Sequence, residues 1–279
     1  MTRRLGAREL ELEGAARSAP RPARPFAGGD ALAMLVRRGL RPRLAPRDLP
    51  FPSQIDEPHA DRIAERLGHY ASRLLLRGAI LAEGPFLPSA ATRYVSAAQA
   101  RDIAQELGHL GLLESAGQGR YRLCWPARNF GGTLEWWVGR ELRQRLGFDV
   151  ATGVRSGARG VGGDLDVVAA AEGKLVYVEL KSSPPKHVAQ AEVAAFFRRV
   201  RALRPHVTVF AVDTALRLSD KILPMMASEM RDPRPPRRLS RDNWELGPHL
   251  YAVNARQDLI DNLRLAIADG LLSLAPPAP

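Results

Sequence analysis

The chain has 279 residues, 45% of them hydrophobic, and a formal net charge of +11 from 41 lysines and arginines against 30 acids. This length allows two packed domains, and the charge favours polyanionic partners. A single cysteine, Cys124, excludes an internal disulfide, six scattered histidines make no zinc pattern, and no apolar run approaches the roughly 18 residues of a membrane span, so a reduced, cytoplasmic protein with no membrane partner is expected.

Residues 1–55 are rich in arginine and proline and read as a disordered leader, with a short helix near Ala31 to Arg38. Such a leader either binds nucleic acid or reflects an arginine-rich genome, and composition leaves both open. Residues 56–126 read as a compact module. "PHADRIAERLGHYASRLLLRGAIL" has the period of one long amphipathic helix. "SAAQARDIAQELGHLGLLE" is a second helix, capped by Ser96, with Ile103, Leu107 and Leu110 on one side. "LLESAGQGRYRLCWP" then gives two short strands around a Gly-Gln-Gly turn. Helices followed by a basic hairpin resemble a winged-helix domain. That resemblance implies a small α+β domain that either holds nucleic acid or docks protein. Arg101, Arg120 and Arg122 are its candidates for phosphate contact, which gives affinity without sequence selection.

Residues 127–279 alternate strand and helix. "GGTLEWWVGRELRQRLGFDV" is a helix with Leu134, Val138 and Leu142 on its apolar side and Glu135 in its first turn. An acid there is stabilised by the helix dipole without any chemical role, so Glu135 has two readings. Trp136 and Trp137 beside it favour a partly buried helix end, while Glu141 reads as a surface charge.

"GGDLDVVAAAEGKLVYVELKSS" follows as a hairpin turning at Glu172-Gly173. Alternation places Asp164 and Asp166 on one face of the first strand, and Tyr177, Glu179 and Lys181 on one face of the second. A two-residue turn sets Asp166 opposite Glu179 and Asp164 opposite Lys181. Like charges directly opposed destabilise a sheet unless a cation lies between them, and a hard divalent metal is the simplest cation for carboxylate oxygens. Lysine is also rare here: Lys174, Lys181, Lys186 and Lys221 are the only four among the 41 basic residues. A chain built on arginine has placed the smaller, more tunable charge in this strand.

"GGDLDVV", the hairpin and "YVELKSS" together resemble the PD-(D/E)xK phosphodiesterases, the restriction-endonuclease-like superfamily. The resemblance implies a metal-dependent nuclease in which Asp166 and Glu179, joined by Glu135 from the preceding helix, hold Mg²⁺ or Mn²⁺. It gives Lys181 the role of orienting or deprotonating the attacking water. No proline precedes either aspartate, a departure from the family's name. A polar residue on the following helix, here Gln190 with His187 as alternative, projects toward the site in many members.

Pro184 and Pro185 end the second strand, and "KHVAQAEVAAFFRRVRAL" is the next amphipathic helix. "HVTVFAVDT" and "HLYAVNA" are strands, "SDKILPMMASEM" is a helix weakened by Pro224, "RDPRPPRRLSRDNWELGP" is a loop, and "DLIDNLRLAIADGLLSL" is the closing helix. The expected architecture is a restriction-endonuclease-like α/β domain, a mixed sheet flanked by helices, behind a winged-helix-like module. The expected function is metal-dependent hydrolysis of DNA in defence, repair or restriction. A catalytically inactive DNA-binding regulator and an RNA-directed or effector-activated nuclease are the alternatives, and oligomeric state, a homodimer included, is left open.

Overall fold

The structure is a computed structural model that describes residues 29–157 and 162–275. Most of the expected leader, residues 1–28, lies outside them. The described chain runs α1 (Gly29–Arg37), β1 (Arg43–Leu44), α2 (Glu57–Gly68), α3 (Tyr70–Leu81), α4 (Pro88–Ala91), α5 (Ala97–His109), β2 (Leu113–Ser115), β3 (Tyr121–Leu123) and α6 (Gly131–Leu146). It continues with β4 (Asp149–Arg155), β5 (Asp164–Ala171), β6 (Lys174–Lys181), α7 (Gln190–Leu203), β7 (Val207–Val212), α8 (Ile222–Ala227), β8 (Arg237–Ser240), β9 (Asn243–Gly247), β10 (Leu250–Asn254) and α9 (Leu259–Ser273). Among the described residues no helix is long and apolar enough to cross a membrane.

Eight strands form one mixed sheet in the order β1-β4-β5-β6-β7-β10-β9-β8. β6, β7 and β10 are parallel neighbours, and the flanking pairs are antiparallel. The β5–β6 reversal falls at Glu172-Gly173, where φ of 50° and 71° gives the left-handed pair that a tight hairpin turn requires. One face of the sheet packs on α6, α9 and the helices of the first half through Val167, Val178, Val209 and Val253; the other packs on α1, α7 and α8 through Leu175, Tyr177, Phe210 and Ala252. Both faces are covered, so β6 and β7 are buried almost throughout, as parallel strands require.

Four expectations are corrected. Residues 29–55 are not a disordered leader. α1 buries Ala31, Leu32, Met34 and Leu35, Asp149 Oδ2 accepts from Ala31 N at 2.6 Å, β1 pairs with β4, and Phe51 meets Trp136 edge-on at 4.9 Å. A few aliphatics at helical spacing suffice to seat this segment against the sheet. The long first helix is two helices: His69 is extended at φ −78°, ψ 119°, and Arg73 Nη1 donates to the freed carbonyls of Leu67 (2.6 Å) and Gly68 (3.0 Å). The expected loop at 231–248 contains the β8–β9 hairpin, which lies between Pro236 and Pro248 and holds no proline itself, and Arg238 lies 5.5 Å over the Trp244 ring. Glu141 is buried, 5% exposed, and pairs with Arg145 at 2.5 Å.

The second helix and its hairpin form where the sequence places them. Ser96 caps α5, accepting from Gln99 N at 3.2 Å while its own backbone N–H donates to Gln99 Oε1 at 3.0 Å. One apolar cluster runs from Phe51, Ile63 and Leu107 to Trp137, Val178 and Leu263, so residues 56–126 share buried contacts with the sheet.

A buried ion pair locks the two halves together. Arg73, 2% exposed, donates through Nε (3.0 Å) and Nη2 (2.9 Å) to Asp213 Oδ1 and lies 4.4 Å over the Trp137 ring. Asp213 follows β7, and its N–H donates to Lys181 O at 2.8 Å. Leaving one buried charge without its partner is far costlier than replacing both by apolar groups. Arg73→Ala should therefore lower unfolding stability by about 3–5 kcal/mol in denaturant titrations. The double variant Arg73→Met, Asp213→Leu should lose less than that single change.

Candidate functional site

β5 and β6 carry the expected acids to one end of the sheet. Their ladder pairs Ala171 with Lys174 and continues to Val167 with Val178, but goes no further, although β5 begins at Asp164 and β6 ends at Lys181. Continued, this register would oppose Asp166 and Glu179, as the turn predicts. The strands instead part there, because the Asp166 side chain substitutes for the ladder: its Oδ2 accepts from Leu180 N at 2.7 Å. Asp164 does not face Lys181. It lies opposite Arg155 on β4 and pairs with it at 3.3 Å.

Glu179 is 2% exposed and carries three donors. Its Oε1 accepts from Arg199 Nη2 at 2.6 Å and from Lys181 Nζ at 3.0 Å, and its Oε2 accepts from the Tyr177 hydroxyl. Arg199 neutralises Glu179 from α7, a protein cation that the sequence reading does not name. Arg199 also donates to Tyr177 Oη at 2.9 Å and to Gly162 O at 3.1 Å. Burial alone would lower its pKa, but Tyr177 and Glu179 outweigh burial and raise it. Lys181 bridges Glu179 and Glu192, each at 3.0 Å. Burial opposes its charge, yet Glu179, Glu192 and Asp166 together raise its pKa, so it stays an ammonium.

Glu135 stands one turn further into α6 than the sequence reading places it, since the helix begins at Gly131, so a first-turn dipole role no longer accounts for it. Burial first, then Asp164 and Glu179, push its carboxyl up to about 7, against the pull of Arg47 and the Gly153 N–H. Asp166 is raised well above the usual carboxylate range, by burial and then by Glu179 and Glu135. These three carboxyls lie within electrostatic reach of one another.

Gln190 is not part of this group. It starts α7 on the exposed side, and its amide donates to Met225 O (3.2 Å), Ser228 Oγ (3.1 Å) and Glu229 Oε1 (2.7 Å). The residues that α7 does bring to the acids are Glu192 and Arg199. They are seven apart, two turns along one face, and Arg199 interrupts the apolar stripe of Phe196 and Leu203. An arginine at a position that the helical period assigns to the core was the available signal. Far from this site, Arg101 is exposed and donates to Ala97 O at 3.3 Å, and Arg120 is exposed with Pro85 O at 3.4 Å. Arg122 pairs across the β2–β3 hairpin with Glu114 at 2.6 Å, which offsets part of its charge.

Among the described residues there is no group of three or more His, Cys, Asp or Glu side chains that could hold a metal ion. Mg²⁺ and Mn²⁺ sites commonly use one or two carboxylates and complete the shell with water and substrate phosphate. Among the described residues no cationic side chain donates a hydrogen bond to Asp166 or Glu135, while both Glu179 oxygens are engaged.

No family model matches the chain, and no curated protein is similar to it. Among solved structures, protein VC1899 from Vibrio cholerae is similar over 87% of this chain, with a TM-score of 0.52 and 15% identity. Can2 from Sulfobacillus thermosulfidooxidans, in complex with cyclic tetra-adenylate, is similar over 86% of it, with a TM-score of 0.52 and 13% identity. The chain spans 60% of the length of each. The likeness is one of fold: a large mixed sheet flanked by helices.

Glu135 gives a pH test. Its carboxyl holds a proton to about pH 7 in the folded chain but only to about 4.5 when unfolded, so its contribution to stability is present below the lower value and lost as pH rises through the upper. In the presence of a chelator, wild-type stability should fall across this window by at most about 3 kcal/mol, and Glu135→Gln should lack that fall. Equal pH profiles for the two proteins would show that Glu135 is not the group that titrates.

Proposed function

We propose that the protein is a metal-dependent nuclease of the restriction-endonuclease-like kind, hydrolysing phosphodiester bonds in DNA. The observation that carries this reading is the parting of β5 and β6 at Asp166, beside Glu179 and Lys181, with a third carboxyl from α6 sharing the same field. An acid, a buried Glu and a Lys at the open end of a covered sheet cost stability that a structural hairpin does not need. In this reading Asp166 and Glu135, with Glu179 exchanging one of its donors, would hold Mg²⁺ or Mn²⁺. The ion supplies a Lewis acid and lowers the pKa of bound water.

The remaining work falls to the chain itself. Lys181, kept charged by its two glutamates, orients the substrate phosphate and offsets charge developing on it; a raised pKa argues against its acting as the base. Arg199 and Tyr177 are positioning residues. They fix Glu179 in a covered strand and so fix where Lys181 stands. The β2–β3 hairpin and α5, through Arg101, Arg120 and Arg122, give the chain a second basic surface for nucleic acid, the winged-helix-like role.

Purified protein should cleave DNA with Mg²⁺ or Mn²⁺ and stop when a chelator is added. Lys181→Ala should lower the rate by about 10²–10³, the usual cost of removing one preorganised charge donor, and Asp166→Asn should abolish cleavage. Cleavage undiminished by chelator would end the metal mechanism. A plasmid left intact under all conditions would favour a DNA-binding regulator that has lost activity. One observation favours an effector-activated enzyme as a second reading: Can2 is similar in fold and is in complex with cyclic tetra-adenylate. Adding that compound to parallel DNA and RNA assays decides between constitutive and activated cleavage.

A further inference from the structure

The ends of β6, β7 and β10 and the start of β9 share one rim of the sheet. Asp213 N donates to Lys181 O and Ala255 N to Thr214 O, each at 2.8 Å, and Asn254 N reaches Asn243 Oδ1 at 3.4 Å. At the far end of that rim is a concavity of about 390 Å³ into which four arginines converge: Arg217, Arg238, Arg241 and Arg256. Among the described residues Asp242 is the only acid lining it, and Arg256 pairs with it at 2.9 Å.

Two of the arginines are held in place. Arg256 is fixed by Asp242, and Arg238 lies over the Trp244 ring with its Nε donating to Ser240 O (3.1 Å) and Arg241 O (3.0 Å). The other two, Arg217 and Arg241, are exposed and have no acidic partner among the described residues. Trp244, which lines the same concavity, has a buried indole N–H with no acceptor. Every group here that lacks a partner is a donor or a cation. Such a set, with like charges gathered in a hollow, is complementary to an anion with several oxygens.

We infer that this concavity is a phosphate-binding subsite for the backbone of the nucleic acid whose scissile bond lies at Lys181. Three strand spacings of roughly 4.8 Å separate β6 from β9, about 14 Å along the rim. Measured along a duplex axis, that corresponds to about four phosphates of one strand at roughly 3.4 Å of rise each. The subsite holds the strand a few nucleotides from the cut, and its contacts are to phosphate, so it adds affinity and register without reading sequence. The identity of the anion rests on the nuclease reading. The subsite itself is measurable without cleavage.

The experiment uses the full chain carrying Asp166→Asn, so that no substrate is cut, and follows binding of labelled single-stranded and duplex oligonucleotides as salt is raised. Adding Arg217→Ala and Arg241→Ala, which spares the Arg256–Asp242 pair and the β8–β9 hairpin, should reduce the slope of log K against log salt. Two lost contacts correspond to about 1.4 on single strands or about 1.8 on duplex. The Arg217→Lys, Arg241→Lys version should keep the wild-type slope, which separates lost charge from lost fold. An unchanged slope in the alanine variant overturns the subsite. A matching loss of affinity for inorganic phosphate or a mononucleotide also overturns it, in favour of a small-phosphate site. If the slope falls as expected while wild type cuts nothing, the subsite stands and the nuclease reading fails.

Discussion

Glu179 is a carboxylate set into a strand covered on both faces, and the arrangement of the site follows from that placement. An unpaired charge there would cost several kcal/mol of desolvation. Arg199, Lys181 and the Tyr177 hydroxyl are what the fold supplies against that cost, and each comes from a different constraint. Tyr177 is two residues back on the same face of β6, which the pleat makes automatic. Lys181 is two residues forward, at the strand end. Arg199 has to be delivered by a separate helix, so α7 must present residues 192 and 199 rather than a wholly apolar stripe. The orientation of α7 on the sheet is therefore fixed by charge as much as by Val193, Phe196 and Leu203.

The same rim explains why the first half of the chain is bonded to the sheet rather than tethered to it. α3 sends Arg73 to Asp213 and Arg77 to Ser182 O, and those two acceptors follow β7 and β6 directly. Asp213 in turn holds Lys181 O. The helices that resemble a nucleic-acid module thus connect through two guanidinium groups to the strand end that carries Lys181. A shift of α3 relative to the sheet would strain a buried ion pair as well as apolar contacts. The position of the helices and the position of the strand end are one mechanical problem.

How much of this was legible in the sequence depends on the range of the interaction. The turn at Glu172-Gly173, the cap at Ser96, and the buried strands at 207–212 and 250–254 rest on neighbours in the chain, and the structure places all of them where the pattern does. Asp166, Glu179 and Lys181 were found because strand alternation and the hairpin bring them together locally. Arg199 and Glu192 were missed because their partners are in another element, and period alone marks Arg199 only as an oddity within an apolar stripe. The break at His69 was missed for a related reason: the apolar period runs straight through it, and what stabilises the break is Arg73 turning back on the carbonyls of Leu67 and Gly68. The short helix near Ala31 to Arg38 is α1, but its seating against the sheet and the strand β1 were missed, because composition outweighed four buried aliphatics in a segment rich in arginine and proline.

The parting of β5 and β6 is the instructive case, because the register rule was followed and still did not give the geometry. A two-residue turn fixes which residues stand opposite, but not how far the ladder persists. At Asp166 a side-chain oxygen takes the Leu180 N–H in place of a backbone carbonyl. The ladder yields where the side chain can reach around it, and the two strands then diverge while each keeps its outer neighbour, β4 for β5 and β7 for β6. Lys181 stands at the end of β6, beside these acids. Lysine suits that position where arginine would not: a compact ammonium meets Glu179 and Glu192 at 3.0 Å each, without the planar fork that would have to displace one of them. The single lysine in the acidic end of a chain built on arginine is thus a matter of shape as well as charge.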